Sequence, residues 1–132
     1  MLTGKVLMDR NAPARLTDTA EQGKSESRSL IESWHGKGRN RYVITPRFAI
    51  SCSTEQLIAA GRLHEQYPDT YIQTHLSENK DEIDSTLSLC PDCKITWKYT
   101  SGQDWLQTVP SSDIVFICLI RNAVGWSKLV LL

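Results

Sequence analysis

A histidine and a glutamate three residues apart, His75 and Glu78, have the types and spacing that best fit chemistry. A histidine at the end of a strand can bind zinc through a neutral imidazole nitrogen. A glutamate just beyond the strand can move a proton between a metal-bound water and a substrate, as hydrolytic deamination requires. The same spacing also fits a half-buried structural histidine and a glutamate in the first turn of a helix, where the dipole favours negative charge.

A second pair, Arg47 and Phe48, follows Pro46. A guanidinium donates a planar fork of hydrogen bonds that suits a carbonyl oxygen, and an aromatic ring can flank a heterocycle. The alternative interpretation is an arginine in an ordinary surface loop. The residues therefore predict a ligand contact here only if a strand places them beside His75.

The other candidate groups predict less. Cys90 and Cys93 form one CxxC motif, and the sequence has no second ligand pair at the spacing of a structural zinc site. We therefore expect neither metal binding nor redox activity there. His35 at a helix end and His64 within a helix are expected to be structural or exposed to solvent.

Strands and helices alternate along the part of the chain that carries these residues. Strands are expected at 4–8, 41–46 and 70–75, the last with Tyr71, Gln73 and His75 on one face. Helices are expected at 18–35, from Ser53 to about Pro68, and from Asn79 onward.

Local patterns support these helices. Ser53 and Gln56 have the spacing of a capping box, and Asn79 with Glu82 is expected to cap the third helix. In the first helix, Ala20, Leu30, Ile31 and Trp34 make a partial apolar stripe. The second helix is continued by Leu57, Ala60, Gly61, Leu63 and His64, and in the third Ile83, Thr86, Leu87 and Cys90 follow helical spacing.

Three strand–helix units with short connections imply an α/β fold with parallel strands. Three strands leave two open edges, so a partial (β/α)₈ barrel of about three consecutive units is the better interpretation, since a whole barrel takes about 250 residues. In such a barrel the chemistry lies at the carboxyl ends of the strands. Those ends carry polar clusters at 9–11, 45–48 and 75–78.

Composition limits the function classes. Basic and acidic residues are equal at 15 each, which argues against binding nucleic acid through bulk positive charge. The longest apolar run, Ile114 to Ile120, is far shorter than the roughly 20 residues of a membrane span. No apolar block typical of a signal peptide opens the sequence, so we expect a cytoplasmic protein with its four cysteines reduced.

The last part of the chain has a different composition. Residues 95–132 hold five of the 30 charged residues, no glutamate and three of the four tryptophans. We therefore expect two regions, a segment of a barrel domain at 1–93 and an atypical tail at 94–132. The tail is interpreted as the product of a frameshift, a splice variant or a gene fragment.

Two sequence blocks carry a family resemblance: TPRF at 45–48 with its flanks and THLSEN at 74–79, preceded by GKVLMDRN at 4–11. Residues 2–93 resemble the middle of guanine deaminases of the amidohydrolase superfamily. The cytidine-deaminase-like class is excluded, since its H-x-E motif is H-x-x-E here and Leu89, not proline, precedes the CxxC.

The resemblance implies a zinc enzyme that converts guanine and water to xanthine and ammonia. His75 would be a zinc ligand, Glu78 the proton-transferring catalytic carboxylate, and Arg47 and Phe48 the purine contacts. The family's HxH pair has no counterpart here, and no histidine follows His75. One histidine cannot hold a zinc that takes three or more protein ligands, so the chain alone is expected to be inactive.

Two alternatives stay open. The chain could be a catalytically inactive truncated amidohydrolase that associates with an intact subunit, or part of a hydrolase of another heterocycle. Full-length relatives of this kind are often homodimers, so self-association of the complete protein is also expected.

Overall fold

The computed structural model describes residues 1–75 and 79–89, and the backbone of two further strands at 114–121 and 127–130. Its strands are β1 (Leu2–Thr3), β2 (Val6–Leu7), β3 (Arg41–Pro46), β4 (Tyr71–His75), β5 (Ile114–Arg121) and β6 (Ser127–Val130). Its α-helices are α1 (Ala20–Trp34), α2 (Thr54–Gln66) and α3 (Lys80–Leu89), and a short 3-10 helix spans Ala14–Leu16.

The strands form one sheet in the order β1, β3, β4, β5, β6, with β2 also paired to β3. β1 to β5 are mutually parallel where they pair, and β6 is antiparallel to β5. The predicted α/β fold with a parallel sheet is therefore confirmed. We call the edge at the carboxyl ends of β2, β3 and β4 the upper edge, and the opposite edge the lower edge.

The first strand was predicted at 4–8, and these bounds were wrong. The structure has two short strands, β1 and β2, on either side of Gly4 and Lys5. The chain approaches β3 closely here, since a Cβ on Gly4 would lie 1.8 Å from the Val43 carbonyl oxygen. The Lys5 N–H donates to the Tyr42 hydroxyl at 3.1 Å. A long-range contact with a side chain thus replaces the regular ladder.

The core lies between the sheet and its helices. Its largest fully buried side chains are those of Leu7, Ile44, Leu57, Leu63 and Ile72. In α2 the buried residues include Leu57, Ala60, Gly61, Leu63 and His64. Of the described helices, none is long and apolar enough to cross a membrane.

The stripe predicted for α1 was wrong in part. The helix buries Gly23, Ser27 and Ile31, whereas Leu30 and Trp34 are exposed. The buried positions follow an i, i+4, i+8 row that includes two small residues. A Cβ on Gly23 would come within 3.1 Å of the Gln56 amide, so small residues let α1 lie close to α2. Hydrophobicity alone therefore misidentified the packed face.

For both predicted caps, the hydrogen bond from the backbone N–H to the cap side chain is confirmed. Ser53 Oγ accepts from the Gln56 N–H at 3.1 Å, and Asn79 Oδ1 accepts from the Glu82 N–H at 2.9 Å. The reciprocal half of the box at α2 was wrong, because the Ser53 N–H donates to Asp9 and the Gln56 side chain is fully buried. The complete capping box is at α1, between Thr19 and Gln22.

Candidate active site

The upper edge brings the ends of three parallel strands together. Leu7 pairs with Pro46 between β2 and β3, and Ile44 pairs with Ile72 between β3 and β4. Because the strands are parallel, the residues just beyond them emerge side by side. The clusters that begin at Asp9 and Arg47 therefore lie at the same edge as His75.

The main chain of Arg47 is held from both sides. Its N–H donates to the Leu7 carbonyl at 3.2 Å, and its carbonyl accepts from the His75 N–H at 2.9 Å. The Thr74 hydroxyl lies 3.4 Å from the same carbonyl. Arg47 thus links β2 to β4 through its backbone.

The Arg47 side chain is exposed and lies against Phe48. Its guanidinium carbon is 5.3 Å from the centroid of the half-buried ring, within the range of a cation–π contact. Its Nη1 is 3.4 Å from the Met8 sulfur. A charged planar donor and an aromatic face are therefore held together at the edge, and the Met8 contact could not be foreseen from local sequence.

His75 lies on the predicted face of β4. Tyr71, Gln73 and His75 are half-buried, while Ile72 and Thr74 between them are buried against the helix layer. The alternation confirms the predicted orientation. The structure thus brings His75 next to Arg47, with their main chains joined by one hydrogen bond.

Two sequence predictions lie outside the described residues. Glu78 is one, so its position relative to His75 stays a prediction, and Cys90 with Cys93 is the other. The remaining two histidines have structural contacts. His35 Nδ1 accepts from the Tyr42 N–H at 3.0 Å, and His64 is buried with Nδ1 3.2 Å from the Thr70 hydroxyl.

A complete zinc site does not fit the described residues. Across 1–75 and 79–89, no three side chains of histidine, cysteine, aspartate or glutamate come together as potential ligands. A catalytic zinc takes about three protein ligands. His75 can therefore supply one donor, and the described part of the chain does not supply the rest of the set.

Cys52, in the loop between β3 and α2, is not suited to act as a nucleophile. It is fully buried, its Sγ lies 3.2 Å from the Leu7 carbonyl, and burial raises the pKa of its thiol to about 11. The reactive form of cysteine is the thiolate. At neutral pH this thiol stays protonated and packs as a small apolar group.

The polar cluster at 9–11 was predicted to lie at a strand end, but no role was predicted for it. In the structure Asp9 accepts from the Ser53 N–H at 2.7 Å and from the Ser53 hydroxyl, and Arg10 donates to the Ala49 carbonyl at 2.7 Å. Both contacts reach the loop that follows Arg47 and Phe48. Three consecutive polar residues after a strand were the signal that could have indicated this.

Similarity to known proteins agrees with this geometry. The chain is 59% identical over 92 residues to guanine deaminase of Escherichia coli, which covers 70% of this chain and 21% of that protein. The solved E. coli enzyme superposes with a TM-score of 0.83 and 46% identity, over 92% of this chain and 27% of that one. No family model matches the chain.

The chain is homologous to a segment of guanine deaminases. It spans about a fifth to a quarter of the length of such relatives. Guanine deaminase from C. acetobutylicum, solved with guanine bound in its active site, matches with a TM-score of 0.78 and 29% identity, over 92% of this chain and 28% of that one.

A more distant structure shares the fold. Atrazine chlorohydrolase from Arthrobacter aurescens, complexed with zinc, is 15% identical with a TM-score of 0.76, over 92% of this chain and 27% of that one. At this identity the likeness shows the fold alone. This chain therefore shares its α/β fold with that structure.

Proposed function

We propose that the complete protein containing this segment hydrolyses guanine to xanthine and ammonia. The observation that carries the proposal is the upper edge itself, where Arg47 with Phe48 and His75 lie side by side on adjacent strands. The relative with guanine in its active site supports a purine substrate. The 132-residue chain, which is about a quarter of its relatives, is proposed to be inactive alone.

Each predicted site residue keeps its role within this proposal. Arg47 would donate hydrogen bonds to the carbonyl oxygen of the purine, and Phe48 would flank the ring face. His75 would supply one zinc ligand, with the others outside this chain, and Glu78 would move the proton. Support for zinc comes from a fold relative that contains it.

The finer architecture is also a proposal. The β–α units of the segment are proposed to form part of a (β/α)₈ barrel, in which the upper edge would be the catalytic end. The complete protein is proposed to be a cytoplasmic enzyme of purine catabolism and a homodimer. These assignments rest on the parallel sheet and on the kinship with guanine deaminases.

Residues 94–132 are proposed to differ in origin from residues 1–93. The sequence match to the E. coli enzyme covers 92 residues, or 70% of this chain. A shifted reading frame explains this together with the glutamate-free composition. Resequencing the nucleotides around codon 94 tests it, and the absence of a deaminase-like continuation in the other frames would refute it.

The catalytic proposal is tested by transplantation. Residues 2–93 replace the matching segment of E. coli guanine deaminase, and xanthine formation and zinc content are measured beside the 132-residue chain. We expect turnover by the chimera and none by the short chain. An inactive chimera that is folded and loaded with zinc would contradict the proposal.

Arg47→Ala in the chimera tests the substrate contact. Loss of a charge-assisted hydrogen bond should raise KM for guanine about 10- to 100-fold. Arg62→Ala is the matched control, since it removes an exposed arginine from α2. An unchanged KM after Arg47→Ala, or turnover of another heterocycle in preference to guanine, would favour the alternative of a different substrate.

A further inference from the structure

Two loops meet at the upper edge, and one of them fastens the other. The first is residues 9–11, which follow β2 and which we call the clamp. The second is residues 47–53, the β3–α2 loop, which begins with Arg47 and Phe48 and ends at the Ser53 N-cap of α2. Their contacts are formed between residues about 39 to 44 positions apart, so they belong to the folded chain and not to local turn formation.

Asp9 holds the far end of the β3–α2 loop. Its Oδ1 accepts from the Ser53 N–H at 2.7 Å, and its Oδ2 accepts from the Ser53 hydroxyl. The Ser53 oxygen in turn accepts from the Gln56 N–H at 3.1 Å. The carboxylate therefore lies at the N-terminus of α2, where the helix dipole and charge-assisted hydrogen bonds favour it.

Arg10 and Asn11 hold the middle of the loop. Arg10 Nη2 donates to the Ala49 carbonyl at 2.7 Å, and Asn11 Nδ2 donates to the Ile50 carbonyl at 2.8 Å. The next carbonyl, that of Ser51, accepts from the main-chain N–H groups of Asp9 at 3.0 Å and Arg10 at 3.3 Å. Three successive loop carbonyls thus find their donors in three successive clamp residues.

The backbone of Asn11 has the conformation this contact requires. Its φ is 47°, in the left-handed region that asparagine tolerates better than most residues. Within the loop itself, Ser51 bonds back to the Phe48 carbonyl through its N–H at 3.1 Å and its hydroxyl at 3.3 Å. Those internal bonds form one tight turn, while the carbonyls of 49 to 51 depend on the clamp.

We propose that Asp9, Arg10 and Asn11 are positioning residues that fix the β3–α2 loop, and with it the placement of the Phe48 ring beside the Arg47 guanidinium. The role in ligand contact rests on the proposed function of the site. The main chain of Arg47 is bonded to β2 and β4 on its own. The clamp therefore acts on Phe48 and the residues after it, and so on the ring that stacks under the guanidinium.

The experiment is amide hydrogen exchange followed by NMR on the 132-residue chain. The probes are the Ser51 and Ser53 amides, compared with amides of α1 as an internal reference. Asn11→Gly keeps the left-handed backbone and removes the side-chain donor, so it should raise exchange at the two probes by about tenfold, with α1 unchanged. Arg10→Ala should act similarly, and Arg10→Lys, which retains one donor, should restore part of the protection.

Arg62→Ala serves as the matched control and should change neither set of amides. A second readout is the ring-current shift of the Arg47 side chain over Phe48, which should shrink in Asn11→Gly and Arg10→Ala. Unchanged probes would overturn the proposal, as would a uniform rise that includes α1, since the residues would then stabilise the chain only in general.

Guanine binding by the same clamp variants made in the E. coli chimera, measured by titration calorimetry, separates this proposal from the proposed function. Weaker binding by the variant chimeras than by the unmodified chimera would support both. If the unmodified chimera binds no guanine while the probes of the 132-residue chain respond as expected, the clamp stands and the proposed function is refuted.

Discussion

The upper and lower edges of the same sheet are fastened in different ways. At the upper edge, the side chains of Asp9, Arg10 and Asn11 form hydrogen bonds with the main chain of the β3–α2 loop. At the lower edge, two main-chain links join the start of the chain to the start of β3: the Arg41 N–H donates to the Met1 carbonyl at 2.9 Å, and the N-terminal amine donates to the Arg39 carbonyl at 2.7 Å.

The two edges also differ in surface chemistry. The lower edge has a groove of about 330 Å³ with Met1, Trp34 and Tyr42 among its lining residues, and Trp34 is 58% exposed. The upper edge presents a guanidinium, an imidazole and a carboxylate. Main-chain links tolerate many side chains, whereas side-chain links require particular ones. We therefore expect side-chain substitutions to destabilise the upper edge more than the lower edge, except where the backbone itself is crowded.

The largest expected effect is at such an exception, Gly4→Ala. The new Cβ would overlap the Val43 carbonyl oxygen, and backbone must move to relieve the clash. We expect the free energy of unfolding, measured in urea, to fall by about 3 kcal/mol. Such a loss would show that the lower half of the sheet tolerates substitutions only at positions with space for the new side chain.

Gly38→Ala is the matched control. Its φ is 60°, but nothing lies within 4 Å of the added Cβ, so the cost should be about 1 kcal/mol of backbone strain. Gly4, unlike Gly38, does not have a positive φ, so equal losses for the two variants would contradict the cost assigned to the contact with the Val43 carbonyl.

A smaller effect separates two N-caps at the upper edge. Ser53→Ala removes the cap of α2 and the hydroxyl bound to Asp9, whereas Thr19→Ala removes only the exposed capping box of α1. We expect losses of about 2 and about 1 kcal/mol in the free energy of unfolding.

A double-mutant cycle identifies the source of that difference. Asp9→Ala combined with Ser53→Ala should cost clearly less than the sum of the two single changes, because both delete the same contact. Additive losses would mean that the carboxylate contributes nothing through Ser53, and the contrast between side-chain and main-chain fastening would lose its main support.

Local pattern predicted the elements that are defined locally. β3, α2 and β4 were predicted close to their observed bounds, because β-branched runs, a serine cap and prolines mark them within a few residues. The common edge of Arg47 and His75 followed from parallel strand order. In contrast, the break at Gly4 and the buried face of α1 depend on the Val43 carbonyl and on Gln56, which are distant in sequence.

Contacts with residues distant in sequence also account for what was missed in the site. The polar types at 9–11 indicated an upper-edge cluster, but hydrogen bonds to carbonyls 49 to 51 cannot be read from residue type, since any loop offers carbonyls. The cap at Ser53 was predicted correctly, but its N–H partner was not. A distant carboxylate at a helix N-terminus leaves no mark in a four-residue motif.

The smallest expected effect concerns Lys5, which lies between β1 and β2. It forms ion pairs with Asp18, just before α1, and with Glu26, within α1. Its Nζ lies 2.7 Å from Asp18 and 2.9 Å from Glu26, and these bonds, that to Asp18 first, raise the pKa of Lys5 above its usual value. Lys5→Met should lower the free energy of unfolding by about 1 kcal/mol at neutral pH.

The pH dependence distinguishes this ion pair from simple packing. A raised pKa in the folded state means that the stabilisation is fully present below the ordinary pKa of 10.5 and is lost as the pH rises through the higher folded value. The difference between wild type and Lys5→Met in urea melts should therefore stay constant from pH 6 to 9 and shrink above about 10.5. Lys80→Met, at an exposed i, i+4 pair with Asp84, should cause no measurable change. A difference that persisted undiminished at high pH would instead assign the effect to the Lys5 alkyl chain, and the middle of the sheet would then resemble the lower edge, held by backbone and packing and not by charge.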